Sequence, residues 1–353
     1  MRVLDFSRAL AAPLCARLLG ELGMEVWKIE DPEHPDLAAG WGPFADGGQS
    51  LYYAGLNWNK NQKSVRLGSP EGRAVVRGWV RHADVVVHNF RASTCRRLGL
   101  DYESLAAVNP RIIMGTFQAF RTNDRPGLDI TVQAALGLAQ SLPDQPPQRL
   151  GVPAIDIVTG LLGTIGILDA ISRRRVTGVG ESLVFSLDTA SLLLLNHVAI
   201  GELNGSAVHP HEPHLNPAIV PNGLFQTQDG WIALCAPSDD AFRRLCEALG
   251  LKELYQTHAH AADRVAHAPV VTEQIKQGME RWSSTDCVRA LKEAGVAAEQ
   301  VRPVQTIDWA QYCDLIVTDA KGHRVIRADV SHQRTCSRRK CEGDAPDSVN
   351  MVP

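Results

Sequence analysis

The first thirty residues place the tightest limit on the fold. Val3-Leu-Asp-Phe reads as a strand, Ala11 to Gly20 as a helix and Glu25-Val-Trp-Lys-Ile-Glu30 as a second strand. Pro13 falls in the first helical turn, where a missing N–H breaks no hydrogen bond. Strand, helix and strand in so short a span form a βαβ unit, which requires parallel strands and helices covering the sheet. The turn after the first strand, Ser7-Arg-Ala-Leu-Ala-Ala-Pro13, has no Gly-x-Gly-x-x-Gly, so no dinucleotide cofactor is indicated.

The alternation continues. Residues 31–50 are rich in Pro, Gly and Asp and read as a long loop, Lys63 to Leu67 as a strand, and Ser69-Pro-Glu-Gly as the capped start of a helix reaching about His82. Ala83 to Phe90 reads as a buried strand, Arg111 to Phe117 as another, and Glu181 to Asp188 as another, followed by an apolar helix from Thr189 to Leu203. Ligands of open parallel sheets lie beyond the carboxyl ends of the strands, which is where Asn89 and Phe90 stand; a plain strand-to-helix turn fits the same pattern.

At 353 residues the chain exceeds one comfortable core. His209-Pro-His211-Glu-Pro-His214 marks a boundary and reads as an extended linker rather than a zinc site. Gly223 to Cys235 has the form of a hairpin turning at Asp229-Gly230, and helices follow at Ser238–Gly250, Val270–Arg281 and Ser284–Ala294. The expected organisation is a large α/β domain over 1–205, a linker over 206–221, a small α+β domain over 222–305, and a return segment or irregular tail over 306–353, where no periodicity is legible.

A net charge of −3 leaves no footprint for nucleic acid or an anionic membrane. Eight cysteines without C-x-x-C spacing read as reduced thiols, the N-terminus has no signal-like apolar core, and the apolar run Ile157–Ile171 is too short for a bilayer. These features predict a soluble cytoplasmic protein without a metal.

The stretch richest in chemistry is Arg149-Leu-Gly-Val-Pro-Ala-Ile-Asp156, which delivers a carboxylate to the start of an apolar helix. Gly160 and Gly163 interrupt that helix where a neighbour can approach closely. On local pattern Asp156 reads first as an N-cap, a role compatible with a nucleophile whose charge the helix terminus favours. Asp129 opens another apolar helix, Ile130 to Leu138, after Pro126-Gly127. Two independent caps, or two carboxylates converging on one cleft, fit that pattern.

The chain resembles the class III CoA-transferases, the family of formyl-CoA transferase and carnitine CoA-transferase that also holds the α-methylacyl-CoA racemases. The resemblance rests on Val3-Leu-Asp-Phe-Ser, Ala12-Pro13, Leu22-Gly-Met-Glu-Val-Trp-Lys-Ile-Glu30, Asn57-x-Asn59-Lys60, Ser69-Pro-Glu-Gly72 and Ala83-Asp-Val-Val-Val-x-Asn89-Phe90-Arg91. It continues through Arg97-Leu-Gly-Leu, Pro126-Gly-x-Asp129-x-x-x-Gln133, Arg149-x-Gly-Val-Pro-x-x-Asp156, Thr177-Gly-x-Gly180 and Asp229-Gly-Trp231, covering about residues 1–305. It implies a Rossmann-like large domain, an interlocked homodimer, and transfer of CoA from an acyl-CoA thioester to a small carboxylic acid through an aspartyl-CoA intermediate on Asp156. It places Asp129 beside the acyl group and coenzyme A near Ala9, Leu10, Val65, Asn89, Phe90, Arg97 and Leu98. Leu10, Asp31, Gly68 and Leu128 depart from the family pattern. Racemases of the family carry a His immediately before the position of Asp129, so Leu128 weighs against racemisation. The alternatives are such a racemase and a CoA-binding homologue without catalysis.

Overall fold

The computed structural model describes residues 1–139, 146–206, 212 and 214–328. His209, His211 and everything after Ala328, including Cys336 and Cys341, lie outside the described residues. The chain forms two compact units. The first takes Met1–Leu136, Leu150–Leu194 and the segment from Asp308, and the second takes Gly137–Arg149 and Leu195–Ile307. The longer segment of the second unit starts at Leu195, ahead of the linker expected at 206–221.

In the first unit the strands are β1 (Arg2–Asp5), β2 (Glu25–Glu30), β3 (Asn61–Ser64), β4 (Val85–His88), β5 (Ile113–Gln118) and β6 (Ser182–Ser186). Every pairing is parallel and the order is β3-β2-β1-β4-β5-β6. The order reverses between β1 and β4, the place where open α/β sheets leave a crevice at their carboxyl edge. The helices are α1 (Ala11–Glu21), α2 (Leu51–Asn57), α3 (Pro70–Val80), α4 (Ala92–Leu98), α5 (Tyr102–Val108), α6 (Asp129–Ala135), α7 (Ala154–Thr177) and α8 (Leu187–Leu195). Ser69 caps α3, its side chain accepting the Gly72 N–H, with Pro70 in the first turn, as the sequence predicts.

Several expectations shift. The strand expected at 63–67 lies at Asn61–Ser64: it is the sheet edge with all four side chains exposed, so it carries no burial alternation to read. Between the loop expected over 31–50 and β3 the chain forms α2, for which the sequence reading offered no element. The helix expected from Ile130 to Leu138 stops at Ala135. The single helix expected over 189–203 divides into α8 and α9 (His197–Leu203) at Asn196, whose φ of 37° breaks the helical path.

The α7 helix runs 24 residues and closes on Gly178 at φ 78°. It extends beyond the apolar run Ile157–Ile171 at both ends, and by length and apolarity alone it passes as a membrane span. One face packs on α1, β5 and β6 instead. Gly160 and Gly163 permit this: a Cβ at 160 would sit 2.8 Å from the Ala11 carbonyl oxygen and one at 163 would sit 2.3 Å from the Phe117 ring.

In the second unit β7 (Asn222–Gln226), β8 (Trp231–Cys235) and β9 (Ala297–Gln300) form an antiparallel sheet, with the expected hairpin turn at Asp229-Gly230. The helices α10 (Asp239–Leu249), α11 (Lys252–Thr257), α12 (Ala261–Ala266), α13 (Ala268–Met279) and α14 (Ser284–Glu293) accompany it. Phe225, Ile232, Phe242, Leu245, Val271, Ile275, Met279 and Leu291 fill the core. Ser238 caps α10 and Gly250 ends it at φ 73°.

The segment after Ile307, for which the sequence suggested no structure, contains a short antiparallel pair, β10 (Ile316–Thr318) and β11 (Arg324–Ile326). It is tied to α1: Arg17 donates to the Ile326 carbonyl, and the Ala328 N–H donates to Glu21 at 2.7 Å. In the part expected as a return segment or irregular tail, the described residues thus hold this hairpin.

Candidate active site

Asp156 is not the N-cap of α7. Pro153 occupies that position without a side-chain cap, and Asp156 lies in the first turn. The cap comes from another helix. Asp129, at the start of α6 and buried, accepts the N–H of Ile155 at 2.9 Å and the N–H of Asp156 at 3.1 Å through one oxygen. Its other oxygen accepts the Gln133 amide at 2.5 Å, and Gln133 in turn accepts the Leu150 N–H at 2.9 Å. Asp129 and Gln133 therefore hold the whole 150–156 turn. The two aspartates are one construction, not two independent caps.

The consequence for Asp156 is electrostatic. Among the described residues no group donates a hydrogen bond to its half-buried carboxylate, and no cation pairs with it. Burial first, and then the charge of Asp129, push its carboxyl up to about 7. The helix terminus does not keep it fully ionised as expected from the sequence, because its orphan N–H groups are already engaged. Ala154 donates to Val152, Ile155 and Asp156 donate to Asp129, and Ile157 donates to Pro153. Those groups are consequently not free to stabilise a developing oxyanion.

Tyr52 stands near the pair. Its phenol is pushed up to about 12 by burial and then by the charges of Asp156, Asp129 and Asp36, so it stays a neutral donor, and its ring meets Trp41 edge-on at 5.4 Å. Nothing in the local sequence singles it out, because α2 is not legible in the loop-like composition around it.

The residues expected at coenzyme A divide into three groups. Ala9 and Leu10 form the turn after β1. Ala9 adopts φ 67°, an uncommon value for a residue with a Cβ, and its N–H donates to Asp36 at 3.0 Å; Leu10 is buried at the N-cap of α1. Asn89 and Phe90 end β4. The Asn89 amide makes two bonds to the backbone of Arg8, 3.0 Å from its N–H and 2.8 Å to its carbonyl, and so fastens the ends of β1 and β4 together across the crevice. The Arg8 guanidinium lies 5.4 Å from the Phe90 ring.

Asn89 and Phe90 line a cavity of about 580 Å³ together with His88, Arg91, Arg96 and Arg125. Arg97 and Leu98 line a separate cavity of about 410 Å³, and Val65 packs beside the core of the first unit. Ala9, Leu10 and Val65 line neither cavity. His88, not anticipated from the sequence, forms part of the larger one; burial lowers its pKa to about 4, so it is neutral. Its Nδ1 accepts the Phe90 N–H at 3.3 Å, which leaves Nε2 to donate to Thr116 at 3.1 Å.

A second buried cluster explains other recurrent residues. Lys60 donates to Asp5, to the Pro13 carbonyl and to Asn57, each at 2.8 Å, while Lys28 donates to Ser7 and, at 3.0 Å, to Asp36. Burial alone raises the Asp5 carboxyl, but the ammonium groups of Lys60 and Lys28 outweigh it and hold that carboxyl below its usual value. Asn57, Lys60 and Asp5 thus fasten the loop after α2 to β1.

CoA-transferase family III matches residues 1–335. The chain belongs to this family. It is 32% identical over 321 residues to the succinate–glutarate CoA-transferase of Agrobacterium fabrum, covering 86% of this chain and 80% of that one. It is 32% identical over 320 residues to the succinyl-CoA–L-malate CoA-transferase beta subunit of Chloroflexus aurantiacus, covering 87% and 78%. A CAIB/BAIF family protein from Brucella suis superposes with a TM-score of 0.80 at 28% identity, covering 95% of this chain and 92% of that one. This member of the family is a CoA-transferase, an enzyme acting on acyl-CoA and carboxylic acids.

Proposed function

We propose that this CoA-transferase works through a covalent aspartyl-CoA thioester on Asp156. The observation that carries the reading is the Asp129–Asp156 pair: one carboxylate is anchored by three donors, and the other accepts no hydrogen bond among the described residues and is pushed up to about 7 by burial and by its neighbour's charge. An ionised Asp156 attacks the donor thioester carbonyl, and CoA leaves as thiolate, giving a mixed anhydride. The thiolate attacks the Asp156 carbonyl of that anhydride, expels the first acid as its carboxylate and forms aspartyl-CoA. The acceptor carboxylate then displaces the thiolate, making a second anhydride. Attack of the thiolate on the acceptor carbonyl releases the new acyl-CoA and restores Asp156.

Coenzyme A is proposed to lie across the carboxyl ends of β1 and β4, along Ala9, Leu10, Val65, Asn89, Phe90, Arg97 and Leu98. Support comes from the crevice at the strand-order reversal, the Phe90 ring, and the arginines of the adjoining cavities, which suit phosphate groups. The dicarboxylic acids in the relatives' names make a small acyl-CoA donor and a dicarboxylic acceptor the first substrates to try. Leu128, at the N-cap of α6, offers no imidazole beside Asp129, which favours transfer over racemisation. A homodimer is proposed on the exposed stripe of Ile157, Leu161, Ile165 and Leu168 along α7, and the cytoplasm as its compartment.

Intact-mass analysis after incubation with succinyl-CoA tests the covalent step. The expected result is a hydroxylamine-sensitive CoA adduct, absent in Asp156→Ala. Transfer of CoA by folded Asp156→Ala at the wild-type rate sinks the mechanism.

A further inference from the structure

Away from the carboxylate pair, the second unit gathers His258, Asp263 and His267 so that one potential ligand atom of each lies within 4.8 Å of the others. His258 Nδ1 is 2.5 Å from one Asp263 oxygen and His267 Nδ1 is 3.0 Å from the other, and the two imidazole centroids are 5.2 Å apart. The three residues sit around one short helix. His258 follows the last residue of α11, Asp263 is in the first turn of α12 and His267 follows its last residue.

The backbone under them is fixed. The His258 N–H donates to the Leu254 carbonyl and the His267 N–H to the Asp263 carbonyl, each at 3.0 Å. Beneath the turn, the fully buried Arg264 donates to the Ala259 carbonyl at 2.6 Å, the Val220 carbonyl at 2.9 Å and Asp239 at 3.0 Å. Asp239 meets the Arg264 charge, and the His260 ring also lies 3.2 Å from Asp239, so both groups are directed to that carboxylate.

We infer that His258, Asp263 and His267 bind one divalent transition-metal ion of the zinc class. Two imidazoles and one carboxylate suit Zn²⁺, Co²⁺, Ni²⁺ or Cu²⁺, whereas Mg²⁺ and Ca²⁺ take oxygen donors. Tetrahedral ligands at ordinary zinc distances lie about 3.3 Å apart. The two imidazole–carboxylate distances, 2.5 and 3.0 Å, lengthen towards that spacing, while the widest separation in the cluster closes by ~1.5 Å at most, and the exposed His267 side chain has the rotamer freedom for both changes. Each coordinating nitrogen must be unprotonated, so an Nδ1 hydrogen now directed at Asp263 is displaced from any Nδ1 that takes the ion. Three protein ligands leave a fourth position for water, and the ion joins the ends of α11, α12 and α13. The inference rests on neither the family nor the chemistry of Asp156.

The test uses the full chain, stripped with chelator and titrated with Zn²⁺ and with Co²⁺, beside His267→Gln and Asp263→Asn. Thiols and the other histidines are common to all three proteins, so the difference between them reports this cluster. Wild type is expected to bind one more Zn²⁺ than either variant, or to bind it at least ~10-fold more tightly, since losing a ligand exceeds the loss of an outer partner. Zn²⁺ is expected to raise the melting temperature of wild type more than that of either variant. The His267 side chain is 52% exposed, so His267→Gln retains the fold even where Asp263→Asn does not. Equal zinc stoichiometry and affinity in wild type and folded His267→Gln overturns the inference, as does failure of wild type to bind Zn²⁺.

Discussion

Two groups of aspartates in the first unit are handled in opposite ways. Asp5 and Asp36 are buried against Lys60 and Lys28 and saturated with hydrogen bonds, so their charges are neutralised inside the protein. Asp129 and Asp156 have no cation between them among the described residues; one is anchored by hydrogen bonds and the other is left with uncompensated burial and the repulsion. The first arrangement holds loops to the sheet. The second keeps a carboxylate destabilised and therefore reactive. Neighbouring charge and donor count, not residue type or burial, separate a structural aspartate from a candidate nucleophile.

The strongest way to break that distinction is Asp156→Ala. Turnover is expected to fall by about 10³-fold or more, with loss of the hydroxylamine-sensitive adduct and an unchanged circular dichroism spectrum. Lys60→Met attacks the other cluster. It strands the Asp5 carboxylate among buried groups and is expected to remove about 3–5 kcal/mol in chemical denaturation, and Asp5→Asn in the same chain should recover part of the loss.

The pH response should separate the clusters by sign. The Asp156 carboxyl is raised when folded, so between about pH 4 and 7 the native state holds the proton more firmly than the unfolded chain, and stability falls as pH rises through 7. Asp5 is lowered when folded, so its contribution is present above the unfolded carboxylate range and is lost as pH falls through its folded value. Denaturation of Asp156→Asn against wild type should thus show a gain near pH 8 that vanishes near pH 4. Each tenfold difference in proton affinity between the folded and unfolded chain contributes at most about 1.4 kcal/mol to that gain. In the same range kcat/KM is expected to rise towards a plateau above about pH 7. Asp129→Asn, which removes the repelling charge, should move that inflection to lower pH; an unmoved inflection would remove Asp129 as its cause.

The smallest effect is expected from Gln133→Leu. It leaves the Leu150 N–H without its acceptor, an effect of about 1–3 kcal/mol by thermal or chemical denaturation. The turn bearing Asp156 should loosen, lowering kcat more than it changes the pH inflection.

Much of the fold is legible in the sequence because it is local. The βαβ opening, the Ser caps at 69 and 238, the Asp229-Gly230 turn and the close-approach glycines of α7 are each written within a few residues. The exact bounds of the edge strand β3, the α2 helix and the hairpin from Ile316 to Ile326 are not legible. These elements are short and exposed, or held by partners far along the chain such as Arg17 and Glu21.

By itself the sequence determined a parallel α/β unit followed by an antiparallel one, and it put an aspartate at the head of the long apolar helix. Only the tertiary structure decided what that aspartate is. Asp129 lies 27 residues before Asp156 and takes the N–H groups that would have stabilised it, and Lys60 lies 55 residues after the Asp5 it neutralises. Local spacing reports propensity and caps, whereas the ionisation of a carboxylate depends on which charges and donors the fold brings to within a few ångströms of it.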